Sequence, residues 1–231
     1  MISDMQNRFT QYCRDHLCFG LPDFSYYKSF ALAVLDASFQ ANANYQSVIN
    51  VVNSFCCWSC KNGVELKCGL KKNCYSKSEQ TNVSDVYCLI QNKGIDDLKQ
   101  MNSQQIAGRS KAELFADLLK FMIDNKIETY QDYQKKRESI QQGLLRIKGV
   151  GKATVCYLAM LSGESDYVKI DRHIKNFVNS AVGKSIDDHS IIKELFINAA
   201  KDLSVDHKGL TAKHLDHIAW NYQRNLKTED K

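Results

Sequence analysis

Apolar residues recur at helical spacing over most of the chain. The runs 47–55, 112–123, 190–203 and 210–226 set apolar residues three and four apart, which places them on one face of a helix. In 190–203 that face is Ile191, Ile192, Leu195, Phe196, Ala199 and Leu203. Asp187 or Asp188 is placed to cap this helix, and Thr211 or its neighbour to cap the next. The run YKSFALAVLDASF, 27–39, is apolar nearly all round, so a central buried helix is expected there. The single proline, Pro22, sits in CFGLPDF, a break between a first helix and the buried one. Only VELKCGL, 64–70, alternates in the manner of a strand. No repeat, low-complexity tract or linker interrupts the pattern. It predicts an all-α protein of about a dozen short helices.

Length and composition bound this picture. A chain of 231 residues makes one large domain or two small lobes and is long enough to bury a core. Hydrophobic residues at 44% and charged residues at 25% fit a soluble globular protein. No apolar run reaches the ~18 residues that a membrane helix needs. The polar start, MISDMQNRFTQYCRDH, carries no secretory h-region. An intracellular location is expected: cytoplasm or nucleoid in a bacterium, nucleus in a eukaryote. The nine cysteines, an odd number, are then reduced thiols or metal ligands rather than disulfides. A net charge of +5 permits an acidic partner such as nucleic acid without demanding one.

One segment departs from the helical texture. CCWSCKNGVELKCGLKKNCYSK, 56–77, holds five cysteines and five lysines. Cys57 and Cys60 with Cys68 and Cys74 could form a tetrahedral thiolate zinc site. The plain alternative is a helix end followed by a basic surface insertion with small thiols. Its lysines either touch phosphates or keep an exposed loop soluble.

The stretch GLLRIKGVGKATVCYLAML, 143–161, reads as helix, hairpin, helix. Leu144, Leu145 and Ile147 lie on one side, and Val155, Leu158, Ala159 and Leu161 on the other. Gly149 and Gly151 let the backbone turn and come close to a partner. Lys152, Ala153 and Thr154 then open a helix whose first N–H groups lack internal acceptors and favour an anion such as phosphate. An ordinary αα-corner would look the same. Twenty residues beyond Gly151 lies Asp171, flanked by Lys169, Arg172 and His173. A surface carboxylate paired with Arg172 is the plain alternative there.

Gly149, Val150, Gly151, Thr154, Asp171 and His173 together resemble the helix-hairpin-helix superfamily of base-excision DNA glycosylases, which includes endonuclease III, alkyladenine and 8-oxoguanine glycosylases. The resemblance is specific over 144–178. It is looser at FALAVLDASFQANANY, which looks like an early buried helix, and at LDHIAWNYQRN, which looks like a closing one. It implies two helical lobes with DNA in a cleft between them. Residues 26–160 would carry the helix-hairpin-helix (144–162); residues 1–25 with 161–231 would carry the Asp171 segment. The implied activity is release of a damaged or modified base from double-stranded DNA by a monomer.

In that chemistry Asp171 stabilises the oxocarbenium-like sugar or activates water. Lys169 and Arg172 either steer phosphates or balance the Asp171 charge. Lys148, Gly149, Val150, Gly151, Lys152, Ala153, Thr154, Arg172 and His173 would contact DNA, and Gln40 and Asn42 are candidates for a wedge that helps expel the base. K⁺ or Na⁺ at the hairpin carbonyls is also implied.

Departures from the family pattern refine this expectation. Members that also cut the strand carry a lysine two residues after the second hairpin glycine, where this chain has Ala153. Lys152 comes one residue early, ~100° away around a helix. The last cysteine is Cys156, so the four-cysteine iron–sulfur loop of many members is missing, and Lys148 replaces the usual proline. A monofunctional glycosylase is expected. A glycosylase/lyase using a displaced lysine, Lys152 or Lys169, and a non-catalytic DNA-binding protein are the alternatives.

Overall fold

The computed structural model describes residues 2–21, 27–66 and 81–229. Pro22, the 67–70 part of the suggested strand, and Cys68 and Cys74 lie outside them. The described residues form eleven helices. In chain order these are α1 (Ile2–His16), α2 (Phe30–Gln40), α3 (Tyr45–Lys61), α4 (Val83–Lys93), α5 (Asp96–Met101), α6 (Lys111–Asp124), α7 (Tyr130–Arg146), α8 (Lys152–Leu161), α9 (Arg172–Val182), α10 (His189–Leu203) and α11 (Ala212–Glu229). These residues are all-α apart from a two-residue ladder, β1 (Gln105–Ile106) against β2 (Arg109–Ser110). Ala107 and Gly108 both take positive φ there, as a tight two-residue hairpin requires. Contacts divide the chain into Phe24–Gly163 and a unit made from Met1–Asp23 with Glu164–Lys231.

In Phe24–Gly163 the central element is α2, buried at every position from Phe30 to Phe39. It packs on α6, α3 and α8. Two of the surrounding helices start at reciprocal caps. Ser110 Oγ accepts from Glu113 N–H while the Glu113 carboxylate accepts from Ser110 N–H, and Thr129 pairs with Asp132 in the same way. Each box satisfies two N–H groups that a bare helix start leaves open.

In the other unit α1 packs on α9 and α10, and α11 on the same two. Phe9 of α1 sits at the centre with ring centroids 5.9 Å from Phe177 and 5.0 Å from Phe196. The buried face of α10 is Ile192, Leu195, Phe196, Ala199, Ala200 and Leu203, with Ile191 at its margin. Asp188 caps this helix through Ser190 N–H at 2.8 Å, while Asp187 pairs with Lys175 at 3.1 Å.

Candidate functional site

The hairpin lies within Phe24–Gly163. Helix α7 ends at Arg146 with Ile147 as its C-cap, and the Val150 N–H closes a turn onto the Ile147 carbonyl at 2.9 Å. Val150 turns into the core. Gly149 has φ +98°, and a Cβ there would meet Ile106 Cγ2 at 3.3 Å, so the chain itself requires glycine. Gly151 differs. Its φ of −107° is ordinary extended backbone, and a Cβ would meet none of the described residues within 4 Å. Local geometry gives no reason for glycine at 151, and an external partner's close approach would.

Gly151 is also the N-cap of α8, and no side chain caps that helix. The first backbone bond of α8 is Val155 N–H to the Gly151 carbonyl. The N–H groups of Lys152, Ala153 and Thr154 therefore have no acceptor within the helix. Lys148, Gly151 and Lys152 are exposed; Ala153 and Thr154 are half-buried.

Asp171 lies in the other unit, as the N-cap of α9. Its Oδ1 accepts from His173 N–H at 2.8 Å and from Ile174 N–H at 3.1 Å. Its Oδ2 accepts from the Trp220 indole N–H at 3.0 Å. Three N–H donors, none belonging to a cation, thus fix both carboxylate oxygens. The group is half-buried, whereas Arg172 beside it is exposed. Trp220 is braced in turn by the His173 ring at 5.6 Å, edge to face, and by the Arg224 guanidinium 5.3 Å above its ring.

Asp171 is not the only carboxylate of this neighbourhood. Asp216, one helical turn before Trp220 on α11, is 5% exposed, and its Oδ1 has no hydrogen-bond partner among the described residues. Burial pushes its pKa well above the usual carboxylate range, and the Asp171 charge pushes the same way. The Lys169 charge, the Lys169 backbone N–H and the Lys213 charge oppose them. Lys213 is itself buried, and burial lowers its pKa to about 8. Burial likewise lowers those of His214 and His217.

The two wedge candidates stand at the corner between α2 and α3. Gln40 is the last, half-buried residue of α2, and Asn42 is exposed with φ +54°. That corner is clamped from below by Lys111, which is 1% exposed. Its ammonium donates to the Phe39 carbonyl at 2.8 Å, the Ala41 carbonyl at 2.5 Å and Gln104 Oε1 at 2.7 Å. Burial lowers its pKa to about 8. Cys57 and Cys60 lie exposed on α3, one turn apart.

Sequence reading passed over Trp220, Asp216 and Lys111. The first two are spaced i, i+4 on α11, which signals a shared face. Nothing in sequence shows which distant carboxylate that face meets.

Comparison with known proteins gives a family and a fold. The sequence model of the family described as "Domain of unknown function (DUF8548)" matches residues 7–224. No curated protein matches the chain. Among solved structures, the H. pylori 3-methyladenine DNA glycosylase (MagIII) bound to 1,N6-ethenoadenine is similar, at a TM-score of 0.53 and 15% identity over 100% of this chain and 98% of that one. At such identity the likeness establishes the fold alone, that of a helical DNA glycosylase. With its match running from α1 into α11, the chain belongs to the DUF8548 family.

Proposed function

We propose that the protein is a monofunctional DNA glycosylase that extrudes a damaged or modified base from duplex DNA and hydrolyses its N-glycosidic bond. The observation that carries this reading is the seating of Asp171, twenty residues after Gly151, with both oxygens held by N–H donors. Breaking the C1′–N bond leaves positive charge on the sugar. A carboxylate held in place stabilises that charge without reorganising, or takes the proton of the attacking water.

The hairpin adds support. An uncapped helix start beside an exposed glycine suits a DNA phosphate, with Lys148 and Lys152 as neighbouring cations. The carbonyls of Lys148 and Val150 would hold K⁺ or Na⁺ at the same turn. Arg172 and His173 would contact DNA beside Asp171. With Ala153 where a lyase carries lysine, no imine forms and the product is an abasic site. The solved glycosylase of this fold is described as acting on 3-methyladenine and was bound to 1,N6-ethenoadenine, so modified purines are the first substrates to test.

The experiment is single-turnover base release by Asp171→Asn. The amide keeps the shape, so duplex affinity should stay level or rise. Release should fall at least ~100-fold, as when one electrostatic catalyst is removed. The wild-type product should break only after hot alkali. Normal release by the variant would remove Asp171 from the chemistry. A borohydride-trapped adduct with spontaneous nicking would assign the reaction to Lys152 or Lys169.

A further inference from the structure

Helix α11 carries a polar stripe on its inner side. Lys213, Asp216, Trp220 and Gln223 are spaced three, four and three apart, which puts them on one face of the helix. Lys213, Asp216 and Gln223 are buried, and Trp220 is half-buried. Apolar residues would normally fill such a face, so what it meets must need polar partners.

It meets residues 165–171. This segment forms neither helix nor strand, so it has no ladder of its own and draws on neighbouring elements for hydrogen bonds. Helix α11 supplies them in register. At one end the Lys213 N–H donates to the Ser165 carbonyl at 3.0 Å. At the other the Trp220 indole N–H donates to Asp171 Oδ2 at 3.0 Å. Between them the Asp216 carboxyl accepts from the Lys169 N–H. Its Oδ1 has no partner among the described residues, so the bond falls to Oδ2. The Lys169 carbonyl in turn accepts from the Asp171 N–H at 2.8 Å. These bonds close a circuit. Helix α11 holds the Asp171 side chain through Trp220, and holds its backbone through Asp216 and the Lys169 peptide. The two arms leave α11 about one turn apart.

We propose that Asp216 is a positioning residue for Asp171: by holding Lys169 it fixes where the backbone enters α9, and with it the place of the Asp171 carboxylate. Trp220 and the first N–H groups of α9 orient that carboxylate, and the Lys169 bond sets the backbone that carries it. The inference rests on the glycosylase reading, in which the place of Asp171 decides the rate. A shift of ~1 Å in a reacting group costs on the order of 100-fold. Burial and the Asp171 charge favour the neutral Asp216 carboxyl, which still accepts a hydrogen bond. The anchor therefore adds no second negative charge beside Asp171.

Hydrogen exchange and base release test this together. Asp216→Asn keeps a neutral group with an acceptor oxygen, and Asp216→Leu keeps the branched shape without one. In the free protein, followed amide by amide by NMR, Asp216→Leu should speed exchange at Lys169 and Asp171 at least ~10-fold, while the middles of α9 and α10 stay within ~2-fold of wild type. Asp216→Asn should stay within ~3-fold at both amides. In single-turnover release from a modified-purine duplex, Asp216→Leu should be at least ~10-fold slower at unchanged duplex affinity, and Asp216→Asn within ~3-fold of wild type. Faster exchange throughout α9, α10 and α11 would mean that Asp216 only supports the core, and would overturn the proposal. So would wild-type exchange at Lys169 and Asp171 in Asp216→Leu, or wild-type release by that variant. Should Asp216→Leu not fold, Asp216→Ala takes its place in both arms. The exchange arm needs no substrate. If the wild type releases no base, the glycosylase reading fails, and exchange at Lys169 and Asp171 still decides whether Asp216 positions Asp171.

Discussion

The buried Asp216 carboxyl should make the protein less stable as pH rises, and Asp216→Asn should abolish that loss. Its pKa is raised on folding, chiefly by burial and then by Asp171. Between the unfolded pKa, 3.8, and the higher folded one, the native state holds a proton that the unfolded chain has released. Stability then falls with rising pH, by about 1.4 kcal/mol per unit at most. If the proton is retained up to neutrality, the accumulated loss reaches a ceiling of about 4 kcal/mol at pH 7. The Lys169 and Lys213 charges and the Lys169 N–H work against the shift, so the loss stays below that ceiling.

Asparagine is neutral throughout. At pH 4 the two proteins should differ mainly by the amide's own hydrogen-bonding cost, and toward pH 7 the variant should gain on the wild type by an amount that stays below that ceiling. Urea unfolding of both proteins at half-unit pH steps measures the difference. Parallel curves from pH 4 to 7 would refute the reasoning, since they would mean that Asp216 ionises as freely in the folded protein as in the unfolded chain. Asp171→Asn, which removes one of the raising charges, should flatten the wild-type slope in part.

The remaining predictions concern the hairpin, the cysteines and the core. Gly151→Asp puts a side chain and a negative charge where no described residue stands within 4 Å of the new Cβ; thermal stability should hold while duplex affinity at ~0.1 M salt falls at least ~10-fold, and unchanged affinity would take the hairpin out of DNA binding. Should Cys57, Cys60, Cys68 and Cys74 bind zinc, the purified protein carries about one equivalent and Cys60→Ser loses it with a marked drop in stability; metal analysis near zero leaves the plain-thiol reading. Phe9→Ala empties the centre of its aromatic cluster and should cost ~3–5 kcal/mol in chemical denaturation; a cost under ~1 kcal/mol would mean that the site collapses without strain.

Much of this architecture was legible because it is local. The face of α10 and the choice of an acidic cap before it are set within four residues, and the structure alters them only by moving Ile191 to the margin and bringing Ala200 in. The hairpin was legible as a turn, but not the different reasons for its two glycines. That of Gly149 depends on Ile106, brought close by a two-residue ladder whose Ala-Gly turn gives a weak hairpin signal. Asp171 stood out from its neighbours in sequence, and Lys169 and Arg172 drew attention as adjacent cations. Its observed partners are backbone N–H groups created by the helix it caps and an indole 49 residues away. Lys111 was hidden for a similar reason, because its acceptors include two carbonyls exposed only where α2 ends.

The division of the chain also has a consequence for the order in which the molecule is made. Phe24–Gly163 is contiguous, so its parts are all available once α8 has been synthesised, and domains tend to fold as units in that order. Helix α1 emerges first, yet its partners Phe177 and Phe196 come from the far end of the chain. It must wait, with an apolar face that includes Phe9, while the whole of the other unit is produced. Trp220 arrives later still, within the last helix. A nascent or truncated chain that lacks α11 would present the hairpin in place but leave Asp171 without its indole partner, so the three-donor seating of that carboxylate is complete only once α11 has been made.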